Sequence, residues 1–253
     1  IKTDSKTIEA KKLVVASGGL SFPLLGASSI AFDIAQKFGH TIKKLEPALV
    51  GFTVQKEQFW FKNLSGVSLP AKAFVEDKTF EGSLLFAHKG CSGPLILTTS
   101  LYWKKGKIVL DFLPNKKIEK FLTGNKNISS SLPLAKRFIQ EFLLSQDLED
   151  KAVSKLTQEE LEKLKLLKNY EFSPAGNFGF TKAEVTKGGI NTDEINHLSF
   201  ESLKQKNLFF IGECLDITGE LGGFNFQIVF SQANHILVND INKGVLCFLE
   251  IRI

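Results

Sequence analysis

Methionine is absent from the 253 residues, and arginine, tryptophan and tyrosine each occur only twice. The chain opens on Ile1-Lys2-Thr3-Asp4 and runs within a few residues into a buried-strand pattern, which reads as the interior of a longer protein. An N-terminally truncated chain is therefore expected. The three cysteines, Cys91, Cys214 and Cys247, lie far apart, with no CxxC pair and no Cys/His cluster. That excludes a disulfide scaffold and zinc-site spacing, so no metal site is expected. A sparse, odd cysteine count fits a reducing compartment, no signal or transit segment is recognisable, and the expected location is cytoplasmic. No apolar run approaches the ~18 residues of a membrane span, so no membrane association is expected. Also missing are the G-x-G-x-x-G fingerprint of dinucleotide-binding folds and the G-x-x-x-x-G-K-[ST] phosphate loop.

What is present suits a globular protein of one large domain or two smaller ones: 43% hydrophobic and 23% charged residues, with 20 Gly and 7 Pro. The net charge of +5 would suit a nucleic-acid partner, but only Arg137 and Arg252 among the 32 basic residues are arginine. Arginine is the residue that makes bidentate contacts to phosphate and guanine. Lysine and the 23 phenylalanines are both encoded by A/T-rich codons, so genome composition accounts for their number. The expected partner is a small-molecule substrate, without nucleic acid.

Lys12–Ala16 is a short β-branched run stopped by Ser17-Gly18-Gly19, a buried strand of the parallel-sheet kind. Ser28 or Ser29 then caps a helix with Ile30, Ile34 and Phe38 on one stripe, ended by Gly39. From Leu49 the period becomes two, with Val50, Phe52 and Val54 on one face. Further strands are predicted at 71–76, 83–88 and 107–113, separated by loops containing Gly66, Pro70, Gly82 and Gly106. Pro94 opens a helix reaching about Trp103. Residues 116–168 are Lys/Glu-rich and helical: Pro133 opens a helix with Leu134, Phe138 and Phe142 in register. Thr157-Gln158-Glu159-Glu160 is a capping box before Leu161, Leu164 and Leu167. After a loop at 174–179, Leu208–Gly212 is a second buried strand, followed by a long helix from Gly223. That helix carries Phe226, Val229 or Phe230, Ala233, Ile236 or Leu237, and Ile241 in helical spacing. The simplest architecture is an α/β domain, discontinuous in sequence, with an insertion: 1–47 and 186–253 form the outer domain, 48–115 and 170–185 a β-rich part, 116–169 a helical part.

Both buried strands end in glycine just before polar residues or a helix start, the place where open α/β sheets collect ligands. The helix after Gly222-Gly223 presents unpaired N–H groups and its positive dipole end. Such an end stabilises a phosphate or the electron-rich edge of a reduced flavin. Glu213, directly after Gly212, is placed to accept hydrogen bonds from a sugar or ribityl hydroxyl. Taken singly, a Gly-Gly pair is also an ordinary tight turn, and an acidic loop residue is usually solvated.

Four segments carry a resemblance: Val15–Pro23 with Leu25-Gly26, Phe86–Pro94, Ala183–Ile190, and Gly212–Asp216 followed by Gly219 and Gly222–Gln227. They resemble "ATGGxSxPxxG", "FTHxGxSGP", "AEVTxGGV" and "GExLDxxGxxGGYNxQ" of the BaiN/RdsA-like NAD(P)/FAD-dependent oxidoreductases. The resemblance implies the C-terminal portion of a flavoprotein with a glutathione-reductase-like FAD fold. Its Rossmann-like FAD-binding domain would be incomplete at the N-terminus and interrupted by a β-barrel-like insertion and a helical subdomain. It further implies that Ser17, Gly18 and Gly19 lie beside FAD. Gly212 would be a cofactor-binding position, Glu213 would hold the ribityl chain, and Gly222, Gly223, Phe224 and Asn225 would face the isoalloxazine ring. Ser17 replaces the family's Thr and Phe224 its Tyr. NAD(P)H is the implied electron donor and an activated C=C bond a candidate acceptor.

His88 is a candidate proton donor, with a structural histidine before a helix start as its ordinary reading. Cys214 has no CxxC partner and reads as a small core residue. His40, His197 and His235 show no pattern. Rival readings are a remnant unable to hold FAD by itself and a Lys-rich nucleic-acid-binding module.

Overall fold

The computed structural model describes residues 7–240 and the strand 246–249. The opening Ile1–Asp4, Ile241 and the side chain of Cys247 lie outside the described part. In chain order the elements are β1 (Lys12–Val15), α1 (Ile30–Lys37), β2 (Ile42–Ala48), β3 (Phe52–Val54), α2 (Trp60–Asn63), β4 (Ser68–Val75), β5 (Lys78–Ala87), β6 (Gly90–Ser92), α3 (Pro94–Tyr102) and β7 (Ile108–Asp111). There follow α4 (Ile128–Ser131), α5 (Lys136–Ser145), α6 (Gln158–Lys165), β8 (Tyr170–Phe172), β9 (Pro174–Asn177), β10 (Val185–Ile190), β11 (Leu208–Phe210), α7 (Phe224–Asp240) and β12 (Leu246–Leu249). They form two units, one made of the chain up to Ala48 and from Gly179 on, the other of Leu49–Phe178. Among the described residues no helix is long and apolar enough to cross a membrane.

The first unit is built on a parallel sheet, β11-β1-β12, with Val15 opposite Phe210. Its alternating side chains feed two cores, as a strand period of two requires. Val15, Leu208 and Phe210 pack with α1, while Val14, Phe209 and Ile211 pack with Ile236 of α7. Helices on both faces of a parallel sheet define the α/β class. The stripe expected on α1 is displaced: Ala31, Phe32 and Ala35 are buried, Ile30 and Ile34 are half-buried, and Phe38 is exposed. Two alanines four residues apart form a flat strip that lets a helix approach a sheet closely. Ser29 precedes the helix, but its hydroxyl bonds Asp33 Oδ2 at 2.8 Å rather than a backbone amide. The α7 stripe shifts likewise. Gln232 and Ile236 are buried, Val229 and Ala233 half-buried, and Phe226 and Phe230 exposed. An i, i+3, i+4, i+7 set faces the sheet, and the phenylalanines lie beside it. Strands β2 and β10 form a separate antiparallel pair with an irregularity between Lys187 and Gly189.

In the second unit seven antiparallel strands run in the order β8-β7-β4-β5-β6-β3-β9. The two edge strands, β8 and β9, are joined by the single residue Ser173. A sheet whose two edges are one residue apart along the chain must curl until it is nearly closed, which makes it barrel-like. Pro70 and Gly82, expected in loops, lie inside β4 and β5 instead: Pro70 pairs with Ser83 and Ala71 with Gly82. Proline is tolerated because β4 pairs with β7 only over Lys72–Phe74, so at Pro70 one side of the strand lacks a neighbour. The expected 174–179 loop is mostly β9, paired with β3. Pro133 precedes α5 by three residues rather than opening it. The capping box forms as read, with Glu160 N donating to Thr157 Oγ1 at 3.2 Å and Thr157 N to Glu160 Oε2 at 2.8 Å. One core joins sheet and helices: Phe61, Phe86 and Phe112 pack with Phe138 and Phe142 of α5. Trp60 stands among them and donates Nε1–H to Tyr170 Oη at 2.9 Å.

Candidate functional site

β1 delivers Ser17, Gly18 and Gly19 to the carboxyl end of the parallel sheet, where β11 delivers Gly212 and Glu213. β10 brings Thr186 to the same place. Glu213 Oε1 accepts a hydrogen bond from Thr186 N at 2.8 Å. Thr186 Oγ1 accepts one from Leu20 N at 2.8 Å and lies 3.3 Å from Ser21 Oγ. A β-carbon at Gly19 would lie 2.5 Å from both Glu213 Oε1 and Thr186 Oγ1, so only glycine lets these three strands' ends meet. Gly189 repeats the theme, since a β-carbon there would lie 2.6 Å from the Cys214 carbonyl oxygen. Asp216 N donates to Ile190 O at 3.0 Å. Segments about 165 and 27 residues apart are thus one cluster. Burial pushes the Glu213 carboxyl above its ordinary range, against the hydrogen bonds from Thr186.

The second glycine turn is held by two amides. Asn225 Oδ1 accepts from Gly219 N at 2.7 Å while its Nδ2 donates to Gly219 O at 3.0 Å. The buried Gln232 of α7 accepts from Gly212 N at 2.7 Å, fixing the helix to the end of β11. Gly223 O accepts the first helical bond, from Gln227 N at 2.9 Å. Glycine in that position brings no side-chain cap to the first-turn amides. Phe224 is 51% exposed beside Gly222.

A profile of the HI0933-like protein Rossmann domain matches residues 1–236. The chain belongs to the HI0933-like Rossmann family. This family sits in the FAD-binding superfamily, and the parallel sheet above is its Rossmann-like core. The chain is 36% identical over 239 residues to "Ribosomal RNA dihydrouridine synthase" of Escherichia coli, covering 90% of this chain and 60% of that protein. It is 35% identical over 244 residues to the protein of the same name from Haemophilus influenzae, covering 92% and 61%. A third relative, "3-dehydro-bile acid delta(4,6)-reductase" of Clostridium scindens, is 28% identical over 257 residues, covering 90% and 61%. The chain thus spans about three-fifths of the length of these relatives.

The residues fit the cofactor of an HI0933-like domain. Ser17 Oγ and Thr218 Oγ1, one at each glycine turn, are buried without a hydrogen-bond partner among the described residues. Buried hydroxyls are normally paired, so both are ready for ligand oxygens. A β-carbon at Gly18 or Gly223 would meet nothing within 4 Å, so the backbone there faces open space. Cys214 is no redox thiol. It is fully buried, donates toward Ile211 O at 3.2 Å, and burial pushes its pKa up to about 12.

His88 is exposed in the turn between β5 and β6, in the second unit, and not at a helix start. His197 and His235 are exposed, the latter edge-on to Phe200. His40 is different, and no local pattern announces it. It is buried, with Nδ1 3.2 Å from Glu194 Oε2 and Nε2 2.7 Å from Ser202 Oγ. Ser202 Oγ also accepts from Lys204 N and Gln205 N, and Glu194 from Thr41 N and Lys204 Nζ. With its oxygen capping a turn and no access to solvent, Ser202 is a structural tie and not a nucleophile. Partners 154 and 162 residues away leave no local pattern to read.

Proposed function

We propose that this chain is the larger part of an FAD-dependent reductase that saturates a carbon–carbon double bond conjugated to a carbonyl, with uridine in ribosomal RNA as the acceptor. The observation that carries the reading is the Gly19–Thr186–Glu213 cluster with the unpaired buried hydroxyl of Ser17 beside it, a donor and acceptor set suited to a polyhydroxylated, phosphorylated cofactor. Ser17, Gly18 and Gly19 on one strand end and Glu213 on the other would hold FAD. The Gly222-Gly223 start of α7 offers its amides and dipole to the electron-rich edge of the ring. When bound, the flavin supplies hydride transfer between NAD(P)H and the acceptor. The protein's part is to bind, orient and exclude water.

The relatives' names support the acceptor class. Converting uridine to dihydrouridine and reducing a 3-oxo steroid alkene both add a hydride and a proton across a conjugated double bond. The two relatives at 36% and 35% identity favour RNA. Scarce arginine speaks against reading base edges, but phosphate contacts need only point charges, which lysine supplies. A free small-molecule enone is the second reading, favoured by the bile-acid relative.

The test purifies the chain, alone and with any coding sequence that precedes it, with added FAD, followed by desalting. Absorbance bands near ~370 and ~450 nm, the usual flavin positions, are expected to persist. NAD(P)H with unmodified ribosomal RNA should then yield dihydrouridine by mass spectrometry of nucleosides. A colourless protein in both forms overturns the flavin reading. A yellow protein that reduces a cyclic enone but no RNA overturns the RNA acceptor.

A further inference from the structure

The net charge is unevenly placed. Of the 32 basic and 27 acidic residues, Leu49–Phe178 holds 19 and 14, and the rest of the chain holds 13 and 13. The whole excess of +5 belongs to the second unit. Within that unit, residues 104–137 contain nine basic residues and two acidic ones: Lys104, Lys105, Lys107, Lys116, Lys117, Lys120, Lys126, Lys136 and Arg137 against Asp111 and Glu119.

This stretch is an ordered strip rather than a loose tail. Ile108, Leu110, Phe112, Leu113, Ile118, Ile128 and Leu132 are buried in the core of the unit and pin the backbone at short intervals. All nine basic side chains between these anchors are exposed. Lys107 pairs with Glu171, and Arg137 donates to the Asn63 carbonyl. Among the described residues the other seven make no ion pair. Two of the acidic groups at the strip are engaged, and Glu119 is exposed among the lysines: Asp111 is buried and bound to Lys168 at 2.6 Å, and Asp150 accepts from Ser129 N at 3.0 Å. Lys104, Lys105 and Lys107 stand before β7, and Lys116, Lys117 and Lys120 after it. Exposed cations thus stand at both ends of β7, a distribution that suits contacts to more than one backbone phosphate.

We infer that the 104–137 strip is a docking surface for the sugar–phosphate backbone of structured RNA, holding it by charge without reading its sequence. The inference rests on the RNA reading of the function. Eight of the nine groups are lysine, which neutralises phosphate as a point charge and does not fork onto guanine. Recognition of the target base is then left to the other parts of the enzyme.

The experiment measures binding of a fluorescent, helix-containing fragment of ribosomal RNA to the chain by anisotropy across a salt series. Three proteins are compared: wild type, K116E/K117E/K120E, and a control with equal charge change on the first unit, K37E/K43E/K206E. The strip variant should lose about tenfold or more in affinity at low salt, and its log–log salt slope should flatten by about 2. The control should keep the wild-type slope. The Lys→Gln version of the strip variant should show the same flattening, to a smaller extent, and circular dichroism should match wild type for all. If wild type binds steeply with salt and the strip variant binds identically, the strip is not the surface while the RNA reading stands. If wild type binds no RNA at any salt, both fall together.

Discussion

The two units are stabilised in different ways. The second has one core of thirty buried residues, centred on Trp60 and its aromatic neighbours, with a net charge of +5. The first is electrically balanced and has, among the described residues, cores of ten and four buried residues, with its polar clustering at strand ends. There, the Glu213 and Thr186 side chains close on Gly19, the Glu213 carboxyl is largely buried, and the Ser17 and Thr218 hydroxyls have no partner among the described residues; crowded glycines and unpaired buried atoms also occur in the second unit, at Gly90, Gln58 and Ser131. What separates the units is the setting of their buried carboxyls: Asp111 of the second is paired with Lys168, whereas Glu213 of the first is held by the Thr186 amide against a glycine strand end. The contrast predicts which substitutions unfold the protein and which leave it folded but empty.

The largest effect on stability is expected at Trp60. Trp60→Ala removes the centre of the aromatic cluster and the indole donor to the Tyr170 hydroxyl, at a cost of about 3–5 kcal/mol. Calorimetry would show the loss; a shift of under ~1 kcal/mol would mean that the cluster does not carry the unit. Gly19→Ala is the counterpart in the first unit. Its β-carbon collides with Glu213 and with Cβ of Thr186 at 2.7 Å, forcing β10 away from β1, for about 1–3 kcal/mol. Retained flavin after desalting should vanish, whereas Trp60→Ala under folding conditions should keep it.

Glu213→Gln separates folding from binding. The folded-state pKa of Glu213 is raised, so its contribution to stability is present below the ordinary 4.5 and is lost as pH rises through the folded value. At neutral pH the buried carboxylate is therefore a burden on the flavin-free protein. The amide keeps an oxygen for Thr186 N. The flavin-free variant should melt no lower than wild type at pH 7, yet hold flavin at least ~10-fold more weakly, the loss expected for a charged hydrogen-bond acceptor. Equal flavin retention would remove Glu213 from the site.

Much of this contrast was legible in the residues. A β-branched run before glycine specifies a strand end locally, as at Val14–Gly19, and the Thr157 capping box formed where it was read. What escaped was non-local. The pairing of β2 with β10 joins residues about 140 apart, and nothing in Ile42–Ala48, with Pro47 near its end, alternates like a strand. β8 and β9 are three and four residues long and exist because β7 and β3 offer them edges. On the helices the apolar spacing was visible, but the choice of face was made by the sheet. Alanine and Gln232 then took positions that hydrophobicity alone gives to phenylalanine.

The acid response should belong to the first unit. Burial lowers the His40 pKa against the pull of Glu194, so folding loses stability as pH falls below the ordinary 6.5. For Glu194, burial works to raise the pKa, but the bonds from Lys204 and Thr41 outweigh it and hold it at about 2. Its contribution is full above 4.5 and is lost as pH falls toward that value. Urea midpoints measured from pH 7.5 to 4 should fall for wild type and fall less steeply for His40→Gln. Identical slopes would show that the His40 tie does not titrate with folding.

The smallest effect is expected at His88, the counterpart of His40 in the second unit. One histidine is enclosed by Glu194, Ser202 and Phe210, and the other stands exposed in a hairpin turn. A turn residue with an exposed side chain contributes within about ±0.5 kcal/mol, so His88→Asn should leave the melting temperature unchanged to within a degree or two. That neutrality makes it a clean probe of chemistry. If His88 delivers the proton that completes reduction of the double bond, turnover falls by about 10²-fold or more with flavin retention intact. Turnover within twofold of wild type assigns the proton to another group.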